Sequence, residues 1–244
     1  MQYSSRQPSP DMPPQMPRRR RWLRRIVISL GLLVVLGLLA AGGVAAIIYH
    51  KLTADLPDVA ELEQYQPSLV TKVYDRNGEL IADFFIERRF LVPLEQIPIA
   101  LRQATVAVED ARFYTHSGID LIGVLRALWV NFRAGEVREG ASTITQQVAR
   151  TLFLTRERTL RRKIREVILA RRIEQRFSKD RILEMYLNQI YYGHDAYGVE
   201  AAAQLYFGKS VQDLTVGEAA LIAGLPSAPN TYSPLRDLSR SLQR

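Results

Sequence analysis

The stretch TLRRKIREVILARRIEQRFSKDRILEMYLN, residues 159–188, settles the class of fold. Leu160, Ile164, Val167 and Ile168 recur at i, i+4, i+7 and i+8, the apolar stripe of a helix whose other face is heavily basic. This periodicity predicts a helix over residues 159–177. Ser178 stands where an N-cap is needed, and Ile182, Leu183, Tyr186 and Leu187 trace the stripe of the next helix. Further along, Thr215 and Glu218 form a T-x-x-E capping box ahead of Ala219 to Leu225, and Pro226 stops that helix. On the upstream side, Pro98 suits a first helical turn, and Ile99, Gln103, Val106 and Asp110 follow as turns of one helix. No internal repeat interrupts this pattern, so the fold class is mainly α.

Two segments depart from it. Residues 26–49, IVISLGLLVVLGLLAAGGVAAIIY, form an uncharged run of 24 residues. As a helix it spans ~36 Å, enough for a hydrocarbon core of ~30 Å. It predicts a transmembrane helix, and it is too long for the apolar region of a signal peptide. Gly37, Ala41 and Ala45 share a face, which fits a helix-packing seam or ordinary membrane composition. Arg18 to Arg21, Arg24 and Arg25 lie directly before the run, and Lys51 follows it. The positive-inside rule then places residues 1–25, a disordered basic tail, in the cytoplasm and the rest outside. Residues 50–95 read as a linker containing a β-hairpin: Val70, Val73 and Tyr74 precede Asn77-Gly78, and Leu80, Ile81, Phe84 and Phe85 follow. Asn-Gly predicts a type I′ turn, with Phe90 to Leu94 joining the small β element. Residues 96–244 form the remaining domain.

Charge distribution excludes one obvious class. Of the formal +8, residues 1–25 carry +6 through seven Arg and one Asp. The rest of the chain is close to neutral, so the basic balance does not indicate a nucleic-acid partner. There is no cysteine, hence no disulfide framework and no thiolate metal site.

Three stretches are unusual for plain helices. In VEDARFYTHSG, residues 108–118, two adjacent acids close an apolar helix. Partial burial there would raise a carboxyl toward the range of a usable base, although paired acids also suit a solvated helix end. GASTITQQ, residues 140–147, crowds hydroxyls and amides at a helix start. That arrangement suits a sugar or anion held by backbone N–H groups, or a simple N-cap. Residues 150–181 hold twelve Lys or Arg against four acids, with Glu166 among them. Such a face binds anions, whether lipid headgroups or a pyrophosphate, or is a solvated face with i, i+4 pairs such as Arg162 to Glu166.

Five segments in order carry a resemblance: EDARFYTHSG (109–118), GASTITQQ (140–147), RKIRE (162–166), RILEMYLN (181–188) and AALIAGLPSAP (219–229). Together they resemble the glycosyltransferase domain of class A penicillin-binding proteins, the family 51 peptidoglycan glycosyltransferases, over about residues 69–244. IYYGHDAYGVEAAAQLYFGK, residues 190–209, is similar to the bifunctional subgroup. The resemblance implies a lysozyme-like, two-lobed helical domain around a cleft, with IDLIGVLRALWVNF (119–132) dipping into the membrane. It implies an inverting transfer of a growing glycan on undecaprenyl pyrophosphate to the 4-hydroxyl of lipid II, on the outer face of a bacterial cytoplasmic membrane. Glu109 would be the general base. Glu166, a second catalytic acid, would sit near the donor pyrophosphate, orienting cations or holding a divalent metal, Mg or Mn; no organic cofactor is implied.

By the same resemblance, Arg150, Arg158, Arg162 and Lys163 would neutralise the leaving pyrophosphate. Ser142, Thr143, Gln146 and Gln147 would hold donor sugar and phosphate, and Asp110, Phe113 and His116 would shape the loop around the base. Gly140, Glu184, Tyr186 and Asn188 would be scaffold. Partners would be lipid II, the lipid-linked glycan, membrane lipids and other cell-wall synthesis proteins. Arg150 stands where many relatives carry Lys, which alters phosphate geometry. The S-x-x-K, S-x-N and K-T-G elements of a transpeptidase are absent, so the chain is expected to be C-terminally truncated. Two other functions stay open at this level: a lysozyme-like enzyme that cleaves murein, and an inactive membrane scaffold.

Overall fold

A computed structural model describes residues 18–63, 67, 70–85, 87–136, 140–155, 157 and 159–243. The chain divides into two units, residues 1–54 and 55–244.

The first unit contains α1 (Arg18–Thr53). Residues 24–53 are long and apolar enough to cross a membrane, and the large side chains from Ile26 to Tyr49 are exposed. The helix begins eight residues before the apolar run, so Arg18 to Arg25 are helical where a disordered tail was expected. Arg and Leu are good helix formers, and no Pro or Gly intervenes between Arg18 and Ile26. The expected disorder of the first 17 residues lies outside the described residues.

The second unit is mainly helical with small β elements. In chain order these are β1 (Thr71–Tyr74), β2 (Leu80–Phe84), β3 (Arg88–Arg89), α2 (Ile99–Glu109), α3 (Leu121–Ala134), α4 (Ile144–Phe153), α5 (Leu160–Arg176), α6 (Lys179–Gln189), β4 (Tyr191–Gly193), β5 (Ala196–Tyr197), α7 (Val199–Phe207), α8 (Val216–Gly224) and α9 (Leu238–Gln243). The helix starts follow the capping chemistry. Thr159 accepts the Arg162 N–H, Ser178 accepts the Arg181 N–H, and Thr215 with Glu218 completes a capping box. Helix α4 packs against both α5 and α6, and α2 packs along α8. Leu101, Ile144, Leu169, Ile173, Leu183 and Ile222 are fully buried in one core. Each such side chain contributes roughly 1.5–3 kcal/mol on burial.

Two expectations for the β region are corrected. Strands β1 and β2 do pair as an antiparallel hairpin, but the turn is not type I′. Only Gly78 has positive φ, and its N–H donates to the Asp75 carbonyl. The Asp75 carboxylate accepts the N–H groups of Asn77 and Glu79, which holds Asn77 out of the left-handed region and leaves that role to Gly78. The turn with positive φ at both central residues lies elsewhere, at His194 and Asp195, between β4 and β5. Finally, the segment after the hairpin does not join it. Strand β3 pairs in parallel with β5, giving the sheet order β3-β5-β4.

Residues expected to be linker are therefore part of the domain. Val59, Leu62, Val92 and Leu94 are buried in the common core. Asn188 on α6 clasps Val92 as a strand would: its Oδ1 accepts the Val92 N–H, and its Nδ2 donates to the Val92 carbonyl, both at 2.9 Å. One turn earlier, Glu184 accepts the Leu94 N–H at 3.0 Å and pairs with Arg181.

Candidate active site

Helix α2 ends at Glu109, and the chain turns sharply at Asp110, whose φ of −159° leaves the helix. The two neighbouring acids thus take opposite environments. Asp110 is buried; its carboxylate accepts the N–H of Ile144, at the start of α4, at 3.1 Å and contacts His116 Nε2 at 2.9 Å. His116 Nδ1 accepts the Gly118 N–H at 3.2 Å, which places the ring proton on Nε2 and makes His116 the donor to Asp110. Gly118 has φ +93°, and a Cβ there would stand 3.0 Å from the Ala170 carbonyl, so only glycine lets this loop lie against α5. Phe113 is fully buried under the same loop, with Lys179 Nζ 4.4 Å from its ring centroid.

Glu109 stays half-buried and faces solvent. Gln147 Nε2 donates to its Oε2 at 2.7 Å. The carboxylate borders a small depression lined also by Arg112, Asp120, Arg126, Gly140 and Ser142. Asp120 caps α3 by accepting the Ile122 N–H and pairs with Arg112 at 3.3 Å.

Helix α4 links this carboxylate to a cationic region. Thr143 caps it in a reciprocal box with Gln146, and the Thr143 hydroxyl donates to the Gly118 carbonyl at 2.8 Å. Gln147 and Arg150 are three residues apart and so neighbours on one helix face. Lys163 reaches across from α5 to Ser142 Oγ (2.9 Å) and Gln146 Oε1 (3.1 Å). Glu166 lies beneath, 0% exposed, with one oxygen 2.5 Å from Lys163 Nζ and the other 2.6 Å from an Arg162 amino group.

That placement bears on two expectations for Glu166. Its carboxylate is fully buried, and both oxygens are closed off by Arg162 and Lys163. Both oxygens are also occupied by cations, an arrangement that does not fit a divalent metal ligand. No group of three or more metal-ligating side chains occurs among the described residues. Arg158 lies outside the described residues.

Beyond Arg150 and Arg162 opens a groove of about 880 Å³, bordered by Arg89, Tyr191, Asp195 and Asn230 among others. The sequence patterns had not singled out these four. Arg89 pairs with Glu87 at 2.8 Å, and its guanidinium lies 5.2 Å from the Tyr197 ring centroid. They come from β3, the β4–β5 hairpin and the segment after α8, and only the fold brings them together.

Residues 77–244 match the family model described as Transglycosylase. The chain belongs to the transglycosylase family. It is 51% identical over 207 residues to penicillin-binding protein 1A of Escherichia coli (strain K12), covering 85% of this chain and 24% of that protein. Against penicillin-binding protein 1A of Aquifex aeolicus (strain VF5) it is 49% identical over 223 residues, covering 91% of this chain and 30% of the relative. The chain thus spans about a quarter to a third of the length of these transglycosylase relatives. A crystal structure of penicillin-binding protein 1A from Haemophilus influenzae matches at 29% identity and a TM-score of 0.38, over 72% of this chain and 17% of that one.

Proposed function

We propose that this transglycosylase chain polymerises lipid II into peptidoglycan glycan strands. The observation that carries this reading is a half-buried carboxylate at the end of α2 held against the face of α4 that also carries a guanidinium. Glu109 is held by Gln147, and Arg150 stands one turn further along α4. A reaction that takes a proton from a hydroxyl while expelling a pyrophosphate needs such a pair: a base on one side and fixed cations on the other.

Glu109 takes the proton of the acceptor 4-hydroxyl as that oxygen attacks the anomeric carbon of the donor sugar. The bond to undecaprenyl pyrophosphate breaks, and Arg150, Arg162 and Lys163 neutralise the charge that gathers on the leaving group. Ser142, Thr143, Gln146 and Gln147 hold donor sugar and phosphate around the α4 N-terminus. One displacement inverts the anomeric centre, so no nucleophilic carboxylate is required. Glu166 acts through the two cations it clamps.

Membrane placement follows from the same chemistry. Helix α1 crosses the bilayer with the arginine cluster on the cytoplasmic side, leaving the transglycosylase outside. Helix α3 exposes Leu121, Ile122, Leu125, Leu128, Trp129 and Phe132, an apolar stripe suited to dip into the lipid and bring the site to lipid-linked substrates.

Product analysis tests the reading. Given lipid II and, separately, finished murein, the chain should lengthen the first into polymer and leave the second intact. Release of muropeptide fragments from murein with no polymer would assign it to the murein-cleaving class instead.

A further inference from the structure

The chemistry above leaves one buried ion pair unused. Glu174 on α5 has a side chain 5% exposed, and Lys179, the first residue of α6, reaches it at 2.7 Å. The same Glu174 oxygen accepts the hydroxyl of Thr145 on α4 at 2.6 Å, and Thr145 is fully buried. Lys179 Nζ also lies 4.4 Å from the ring centroid of Phe113, which is fully buried in the loop after Glu109. Helices α4, α5 and α6 and the base loop thus meet at one pair of charges.

Apolar side chains of similar volume often fill such a space as stably, because two charges lose their hydration on burial. What the pair adds is direction. A hydrogen bond to a carboxylate fixes distance and angle, and a cation over an aromatic face fixes the ring beneath it. Its neighbours are the parts that place the base. Phe113 stands four residues after Glu109, and Thr145 stands two before Gln147, whose amide holds Glu109 at 2.7 Å. The next residue of α6 repeats the contact, since Asp180 accepts the Tyr114 hydroxyl at 3.2 Å. Consecutive residues at the start of α6 therefore hold consecutive aromatics of the base loop. Asp110 to the Ile144 N–H and Arg171 to the Ser117 carbonyl fasten the ends of that loop, and the Lys179 pair takes its middle.

We propose that Glu174 and Lys179 are positioning residues that lock the Glu109 loop to α4, and so set the line along which the carboxylate meets the acceptor hydroxyl. The proposal rests on the transferase reading for its catalytic meaning. Neither residue is among the described residues that line the depression beside Glu109 or the larger groove. Both act through Phe113 and Thr145 and not on the substrate. Loss of the lock leaves substrate binding in place and lowers the share of complexes in which the base is aligned for proton transfer.

The test compares wild type with Lys179→Met, Thr145→Val and the double variant, each as the full chain in detergent, beside the conservative Lys179→Arg and Thr145→Ser. In lipid II polymerisation, Lys179→Met should lower kcat about tenfold and Thr145→Val about threefold, with KM unchanged. Because both act through one lock, the double variant should fall no further than Lys179→Met alone, and each conservative variant should recover most of the loss. Without substrate, amide exchange of residues 110–118 should quicken about tenfold in Lys179→Met and in Thr145→Val, while α8 exchanges as in wild type. Should Lys179→Met not fold, Thr145→Val, which keeps the shape and both charges, carries the same comparison against Thr145→Ser. An unchanged kcat, a loss carried by KM, or losses that multiply in the double variant overturns the proposal and leaves the pair as core packing. If wild type makes no glycan, the transferase reading fails, and the exchange of the loop alone still decides whether the pair locks it.

Discussion

Glu109 and Asp110 are adjacent, alike in chemistry and opposite in use. The sequence marks them as a pair at a helix end, but not which one faces the solvent. That is decided by the backbone at Asp110, which turns its side chain inward to the Ile144 N–H and His116. Asp110→Asn puts an amide N–H₂ among groups that are themselves donors. It should lower stability by about 1–3 kcal/mol, read from urea unfolding, with the Glu109 loop losing order first. Glu166 was equally ambiguous, because spacing of i, i+3 and i, i+4 to cations fits a surface pair and a buried clamp alike. Its complete burial makes it a clamp. Glu166→Gln leaves Arg162 and Lys163 facing each other without a counter-charge. The expected loss is on the order of 2 kcal/mol, a buried-pair cost reduced for the partly exposed lysine, together with weaker donor binding. Unchanged stability and donor KM would mean that the clamp is idle.

Helix periodicity and caps were legible, since they are local: the stripe of α5, Ser178 before α6 and the capping box of α8 all stand where the residues indicate. The β elements were not, because their partners are distant in sequence. Nothing local tells that β3 will pair with β5 about a hundred residues later, or that Asn188 will clasp Val92. Helix α8 offers a pH-dependent check. Lys209 foremost, then the Thr215 N–H and hydroxyl, lower the Glu218 carboxyl from 4.5 to about 2. Its contribution is complete above pH 4.5 and is lost as pH falls toward 2. The stability gap between wild type and Glu218→Gln should therefore close across that window in urea titrations, and a gap constant from pH 5 to pH 2 would remove the assignment. Helix α3 offers another. In a Trp22→Phe background, Trp129 emission should shift to the blue when the chain moves from a mild detergent of short chain length into liposomes, and a bromolipid should quench it. An unquenched Trp129 would place this face in water.

At the scale of the molecule, the sequence separates a membrane-length helix from a mainly helical domain, and the structure keeps that division while moving its borders. Residues assigned to a linker enter the core through Val59, Leu62, Val92 and Leu94, which are buried with the residues of α4 to α6. The candidate site divides in the same way. Residues contributed by the ordered motifs were visible in advance, whereas Arg89, Tyr191, Asp195 and Asn230 line the groove only because separate elements converge. Transferase chemistry requires that convergence to work around one base. The direct measurement is lipid II polymerisation by the purified chain in detergent, with Glu109→Gln alongside. The expected result is glycan polymer from wild type and none from Glu109→Gln, while the variant still binds lipid II as wild type does. Polymer formed at the wild-type rate by Glu109→Gln would contradict the assignment of the base and, with it, the mechanism.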